Sequence, residues 1–276
     1  MTAIIGIKTN KGLESVVIGA DTQISVEKED DDKNKELPYE KKNIRKIICG
    51  ENWIMAFAGT VMEEHYKFYK KLSGSKRYGS SEEIVNEMIA NAVKNYDEWK
   101  KNPKKYSGFH FKEVADLNAT LMRRKNFDIA EATEGVLAVY LNDSGVRLFH
   151  VDEFGNLKEP AEKEVGFIKE FDYVTIGAGA KRINRYISDL VAEEESGQFF
   201  VNTRRAIEII RESIHRAGKE IQTGGNTDLT VLTKRGVDDY SPEIKEALKQ
   251  AEDKKFEEIE RKYDELEEEL PQPPQP

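Results

Sequence analysis

The chain has 276 residues, 38% of them hydrophobic, which suffices for a substantial core in one large domain or two small ones and excludes a wholly disordered chain. A charged fraction of 34% with both signs well represented, and a net charge of -9, argue against a nucleic-acid-binding surface and favour protein or peptide partners. The single Cys49 excludes an internal disulfide framework, and Cys, His and carboxylate residues show no metal-ligand spacing.

Met1 to Gly6 lacks the basic start and long apolar run of a secretion signal, and no stretch approaches the length of a membrane span, so a cytoplasmic protein is expected. Heavy use of Lys and Glu beside scarce Cys and Gln is the compositional tendency of thermophilic proteins.

In chain order, Ile4, Ile5, Gly6 and Ile7, a turn at Asn10 to Leu13, and Ser15 to Ala20 read as a β-hairpin whose first strand is buried. After Asp21, the charged stretch Glu27 to Lys42, with Asp30, Asp31 and Asp32, reads as a solvated insertion spanning 26–43. A second hairpin follows, with strands Ile44 to Cys49 and Trp53 to Ala58, ending at Gly59 before a helical start near Thr60. Met62 to Leu72 and Ser81 to Trp99 predict two helices, the second with Ile84, Met88, Ala92 and Val93 at helical spacing. Lys101 to Lys112 is a polar connection; from Phe111 to Glu134 no single period dominates, although Val114 to Arg123 can extend a helix.

Strand signals resume at Gly135 to Leu141 and Val146 to Asp152, around the turn Asn142, Asp143, Ser144 and Gly145, and again at Asp172 to Ile176. Arg182 to Glu195 and Thr203 to Gly218 predict helices, and Asp228 to Lys234 a final strand. Strands, helices, strands, helices and strand can be layered as an α+β, four-layer αββα sandwich over 2–237. From Ser241 onward, Phe256, Ile259, Tyr263, Leu266 and Leu270 fall three and four apart in a Glu/Lys background. This predicts an added amphipathic helix in a 238–276 extension, which ends in the non-helical run Pro271 to Pro276.

Thr is a poor nucleophile without a base, and a free α-amine with a pKa of roughly 8 can serve at neutral pH. Thr2, exposed by removal of Met1, would carry its own base, although many ordinary proteins begin Met-Thr. By the two-residue strand period, Ile44, Lys46 and Ile48 share one face, placing an ammonium among apolar neighbours. Such a lysine needs a partner, and Asp21, at the end of the strand beside Thr2, is placed to provide one. Taken singly, the two also read as an edge-strand lysine and a turn aspartate. Gly59 can present a backbone N–H as an oxyanion donor or serve as a plain strand-to-helix turn. Thr223, Gly224, Gly225 and Asn226, three residues beyond Glu220, form a tight turn.

Together these segments resemble the proteasome β-subunits and their bacterial relative, the peptidase of the HslUV-type system. Ile18-Gly19-Ala20-Asp21-Thr22-Gln23 is similar to the family's Asp segment, and Asn43-Ile44-Arg45-Lys46-Ile47 to its lysine strand. Met55-Ala56-Phe57-Ala58-Gly59 is similar to its Ala-Gly strand end, Ile176-Gly177-Ala178-Gly179 to its Gly-Ser-Gly turn, and Thr223-Gly224-Gly225-Asn226 to its Ser-Gly-Gly turn.

The resemblance implies a threonine endopeptidase that needs no metal or organic cofactor. Thr2 would be the nucleophile, Lys46 its electrostatic activator in preference to Arg45, Asp21 the group orienting Lys46, and Gly59 the oxyanion donor. Glu220 and Thr223 would support the Thr2 amine, and Ile24, Ile44, Ile48, Phe57 and Val61 would line an apolar substrate pocket. A homo-oligomeric ring and an unfoldase partner are further implications. Ala178 departs from the family, where a Ser hydroxyl contacts the nucleophile or its water. That departure opens an alternative of acyl transfer by the same acyl-enzyme; a non-catalytic assembly subunit that docks through Ser241 to Pro276 is a second alternative, and amide hydrolysis of a small molecule by an N-terminal nucleophile is a third.

Overall fold

A computed structural model describes residues 2–27, 39–43, 45–58, 77–81, 83–84, 134–151, 157–160, 164–165, 168–169, 171–194, 199–218, 226–240, 258–259 and 261–266. The protein is mixed α+β and is built on two five-stranded antiparallel sheets. The first sheet contains β1 (Ile4–Lys8), β2 (Ser15–Asp21), β12 (Tyr173–Ile176), β13 (Thr227–Thr233) and β14 (Gly236–Asp239), in the order β12-β1-β2-β13-β14. The second runs β5-β6-β7-β8-β9, comprising β5 (Ile47–Cys49), β6 (Trp53–Ala58), β7 (Glu134–Leu141), β8 (Gly145–Val151) and β9 (Leu157–Lys158). Two separate pairs complete the strands: β3 (Gln23–Glu27) with β4 (Tyr39–Asn43), and β10 (Glu164–Val165) with β11 (Ile168–Lys169).

β2 is buried at every position, so its sequence shows a continuous apolar run rather than alternation. Its two faces still follow the two-residue period. Val16, Ile18 and Ala20 join Ile4, Ile54, Ala56, Val136, Leu148 and Ile176 in a cluster between the sheets. Val17 instead joins Ala3, Ile5, Leu229 and Val231 beneath two helices, α1 (Ala180–Ala192) and α2 (Thr203–Ala217). Gly19 lies on that helix-facing side, where a Cβ would collide with Ile210 of α2. The absent side chain is what lets α2 settle against β2.

Both helices present apolar stripes to the sheet: Ile183, Ile187 and Val191 in α1, and Ala206, Ile207, Ile210, Ile214 and Ala217 in α2. Asn202 caps α2 by accepting the Arg205 N–H at 2.8 Å. The outer face of the second sheet carries a third cluster, in which Trp53, Met55, Leu137, Phe149 and Val151 pack with Tyr78 and Ile84. No described helix is long and apolar enough to cross a membrane.

Several expectations change in detail. The charged stretch expected as a solvated insertion is bounded by paired strands, with Gln23 opposite Asn43 and Glu27 opposite Tyr39. Lys46, expected within a strand from Ile44, instead immediately precedes β5. Its carbonyl still accepts the Phe57 N–H at 3.4 Å, which continues the pairing without a full ladder. The described part of the amphipathic stripe after Ser241 is covered by the chain itself: Ile259 and Tyr263 are buried in the helix-side cluster, and Leu266 packs against it. The predicted helix 62–72, most of 81–99, Phe256, Leu270 and the 271–276 run lie outside the described residues.

Candidate active site

The β1–β2 pairing ends with Ile4 opposite Ala20, which sets Ala3 beside Asp21. The backbone there closes reciprocally. Asp21 N–H donates to the Ala3 carbonyl at 3.0 Å, and Ala3 N–H donates to Asp21 Oδ1 at 2.7 Å. The fully buried Asp21 side chain is thereby fixed one residue from Thr2, whose own exposure is 6%. Beyond Asp21, Thr22 is tied to the start of β13: its N–H donates to the Asn226 carbonyl at 3.0 Å, and its Oγ1 accepts the Asn226 N–H at 2.9 Å.

Lys46 enters from the other sheet. Its Nζ donates to Asp21 Oδ1 at 2.8 Å and to the Gln23 carbonyl at 2.6 Å, with 4% of its side chain exposed. Burial depresses the Lys46 pKa below the usual lysine value, against the opposing pull of Asp21 and Asp228. Desolvation therefore outweighs the ion pair here. The adjacent Arg45 turns elsewhere, to Asp239 Oδ2 at 2.6 Å. Of the two basic neighbours, Lys46 reaches the Thr2 end of β1–β2.

The loop after β12 completes this end. Gly177 has φ of +83°, and a Cβ on it would overlap the Thr2 carbonyl and stand 3.3 Å from the Ala58 Cβ. Gly179 N–H donates to that same Thr2 carbonyl at 3.3 Å. The ends of β1, β6 and β12 thus converge on residue 2, with the exposed Ala178 between the two glycines.

Of the residues singled out in the sequence, the structure brings together Thr2, Asp21 and Lys46. Ile48 and Phe57 meet in the cluster on the outer face of the second sheet, nearly closed to solvent. Ile24 is in β3 opposite Lys42, its side chain outside the description. Ile44, Gly59, Val61, Glu220 and Thr223 lie outside the described residues. Sequence reasoning missed the Gln23 carbonyl and Ala3 N–H, because backbone partners leave no residue-type signature. It also missed Asp228, whose signal is an acid at an inward position of the apolar strand TDLTVLT. A cavity of about 440 Å3 lined by Asn52, Arg77, Tyr78 and Tyr140 opens at the other end of β6, away from this constellation.

No protein-family model matches the chain, and no curated protein matches it.

Proposed function

We infer that this chain is a threonine endopeptidase of the N-terminal-nucleophile kind, built as a four-layer αββα sandwich like the proteasome β-subunits it resembles. The observation that carries the reading is the buried Asp21–Lys46 pair, anchored through Ala3 N–H to the backbone beside Thr2. A lysine buried at this cost beside an N-terminal Thr serves a reaction in which a hydroxyl must become an alkoxide.

With Met1 removed, the Thr2 hydroxyl passes its proton to its own α-amine while Oγ bonds to the peptide carbonyl carbon. Lys46 stabilises the negative charge that develops on Oγ, and the Gly59 N–H receives the oxyanion. As the C–N bond breaks, the ammonium returns the proton to the leaving amine, and an ester to Thr2 remains. Water then attacks the ester and frees the second product. Glu220 and Thr223 support the α-amine in this scheme. Ile24, Ile44 and Val61, with the small exposed margins of the otherwise buried Ile48 and Phe57, favour an apolar side chain before the cut bond. The working form is a cytoplasmic homo-oligomeric ring supplied with protein or peptide substrates, with an unfoldase as partner.

A second reading is favoured by Ala178. The loop that binds the Thr2 carbonyl offers a methyl group where a hydroxyl would help hold the attacking water. Slow hydrolysis lets an amine take the acyl group, which makes the chain a transpeptidase through the same ester.

The test is the intact mass of the purified protein before and after an epoxyketone peptide, which bridges an N-terminal Thr amine and hydroxyl, alongside Thr2→Ala. Loss of Met1 with one adduct absent in the mutant supports the nucleophile. Retained Met1 and no adduct leaves the non-catalytic assembly subunit. Product analysis with added amine separates hydrolysis from transfer.

A further inference from the structure

Asp228 is 1% exposed in β13, where it pairs with Ala20 of β2, one position from the Thr227–Asp21 pair. Leu229 and Val231 of the same strand face the helices, while Leu232 lies between the sheets. By the two-residue period, Asp228 and Thr230 share the inter-sheet face with Leu232. β13 packs against β5 of the other sheet, into which the two cations Arg45 and Lys46 lead. Arg45 is already held by Asp239 Oδ2, and Asp239 Oδ1 accepts from Thr230 Oγ1 at 3.4 Å. Cys49 Sγ also lies 3.7 Å from Asp239 Oδ2.

On the Lys46 side, Asp21 Oδ1 is shared between Lys46 Nζ and Ala3 N–H, so one carboxylate oxygen serves two donors. Lys46 Nζ also donates to the Gln23 carbonyl, but that acceptor is neutral, so the charge of the buried ammonium is opposed through the divided oxygen, and a second acid at the same interface adds to this. We propose that Asp228 is a positioning residue of the site, a second buried carboxylate that acts with Asp21 to hold Lys46 as an ammonium beside Thr2. The negative charge of Asp228 favours the protonated forms of both Lys46 and Arg45, a smaller contribution than burial or their nearer acids, which agrees with that placement. The charged and titratable groups around Lys46 are then Asp21 from β2, Asp228 from β13, its neighbour Arg45 with Asp239 of β14 and Cys49 of β5, and the Thr2 amine. The consequence for reactivity rests on the threonine-peptidase reading; the hold on Lys46 does not.

The experiment is an NMR titration of Lys46 Cε in protein beginning at Thr2 and carrying 13C-lysine, with the resonance assigned through Lys46→Arg. In Asp228→Asn the Lys46 midpoint is expected to fall by about one pH unit, a tenfold loss of proton affinity. Asp228→Glu, which keeps the charge, restores most of it, and Asp239→Asn leaves Lys46 unmoved. Asp228→Ser makes the same comparison if the Asn variant does not fold. The alkaline limb of Thr2 labelling by the epoxyketone moves down with the Lys46 midpoint. An unchanged midpoint in the neutral variants overturns the inference, whatever Thr2 does. A shifted midpoint in a protein whose wild-type Thr2 takes no adduct leaves Asp228 in its role and removes the peptidase reading instead.

Discussion

Asp21 and Lys46 form an ion pair of 2.8 Å in which the carboxylate is fully buried and the lysine side chain is 4% exposed. Such a pair differs in kind from the Arg147–Glu159 bridge, which is shorter at 2.6 Å but 34% and 55% exposed. In the exposed pair, water competes for both charges and the coupling is at most about 1 kcal/mol. In the buried pair, removing one partner strands the other in an apolar setting, at a cost of about 3 kcal/mol or more.

Lys46→Ala is therefore expected to lower unfolding stability by about 3 kcal/mol, whereas Arg147→Ala lowers it by less than about 1 kcal/mol. Thr2 labelling in Lys46→Ala is expected to slow by roughly a hundredfold, the scale for losing one preorganised electrostatic group. Urea titration and timed intact-mass measurements give the two numbers. Equal stability losses in the two variants would contradict a buried Asp21 that depends on Lys46 for its counter-charge.

The direction of the Lys46 shift sets a pH dependence. Burial places its folded pKa below the ordinary lysine value, which is roughly 10.4 in an unfolded chain. Between those two values the unfolded chain binds more protons than the folded one, so this group's contribution to stability rises with pH across that window. Reactivity runs the other way, because the ammonium form stabilises the alkoxide. Thr2 labelling is expected to climb as the α-amine loses its proton near roughly 8, then to fall before pH reaches roughly 10.4. Rates that stay level through that upper value, measured from pH 6 to 11, would exclude Lys46 as the activator.

The Gly177 backbone carries a separate test. Its φ of +83° strains any L side chain, and the new Cβ would press on the Thr2 carbonyl. Gly177→Ala is expected to cost about 1–3 kcal/mol of stability and to slow Thr2 labelling beyond what that loss explains. Ala178→Gly, at the exposed neighbour, serves as the control and leaves labelling within about threefold. Wild-type labelling in Gly177→Ala would show that this loop does not position residue 2.

Much of this arrangement is legible in the sequence because the signals are local. The β1–β2 hairpin, the turn at Asn142 to Gly145 and the stripes of α1 and α2 each lie within one short window, and each forms within a few residues of its expected bounds. β4 is hidden because Glu40, Lys41 and Lys42 are poor strand residues, and only pairing with β3 across the chain makes them a strand. β14, with the sequence GVDD, is set by β13 in the same way. The Asp21–Lys46 pair could be expected from a buried cation's need for a partner. Its division of Asp21 Oδ1 with Ala3 N–H, and the approach of Asp228, depend on strand register and on how the two sheets stack.

The C-terminal segment tests whether an appended helix belongs to the core. Tyr263 is fully buried, its Oη donates to Asp238 Oδ2 at 2.8 Å, and its ring stands edge-on to Tyr240 at 6.4 Å. Lys262 Nζ reaches the same Asp238 oxygen at 2.8 Å, and Arg204 of α2 holds Asp264 at 2.7 Å. Losing an aromatic side chain from such a site costs about 3 kcal/mol, whereas Tyr263→Phe removes only the hydrogen bond, about 1 kcal/mol. Burial, reinforced by Tyr240 and Asp238, holds the Tyr263 phenol well above the usual tyrosine value. A detached helix would ionise that phenol near roughly pH 10 while the docked helix keeps its proton. Above that pH the unfolded state binds fewer protons, so stability falls as pH rises. Between pH 8 and 11, the wild-type urea midpoint is expected to drop further than that of Tyr263→Phe, which has no phenol to ionise. Parallel losses in the two proteins, or an unchanged midpoint after removal of 241–276, would mean that the helix contributes nothing to the domain it covers.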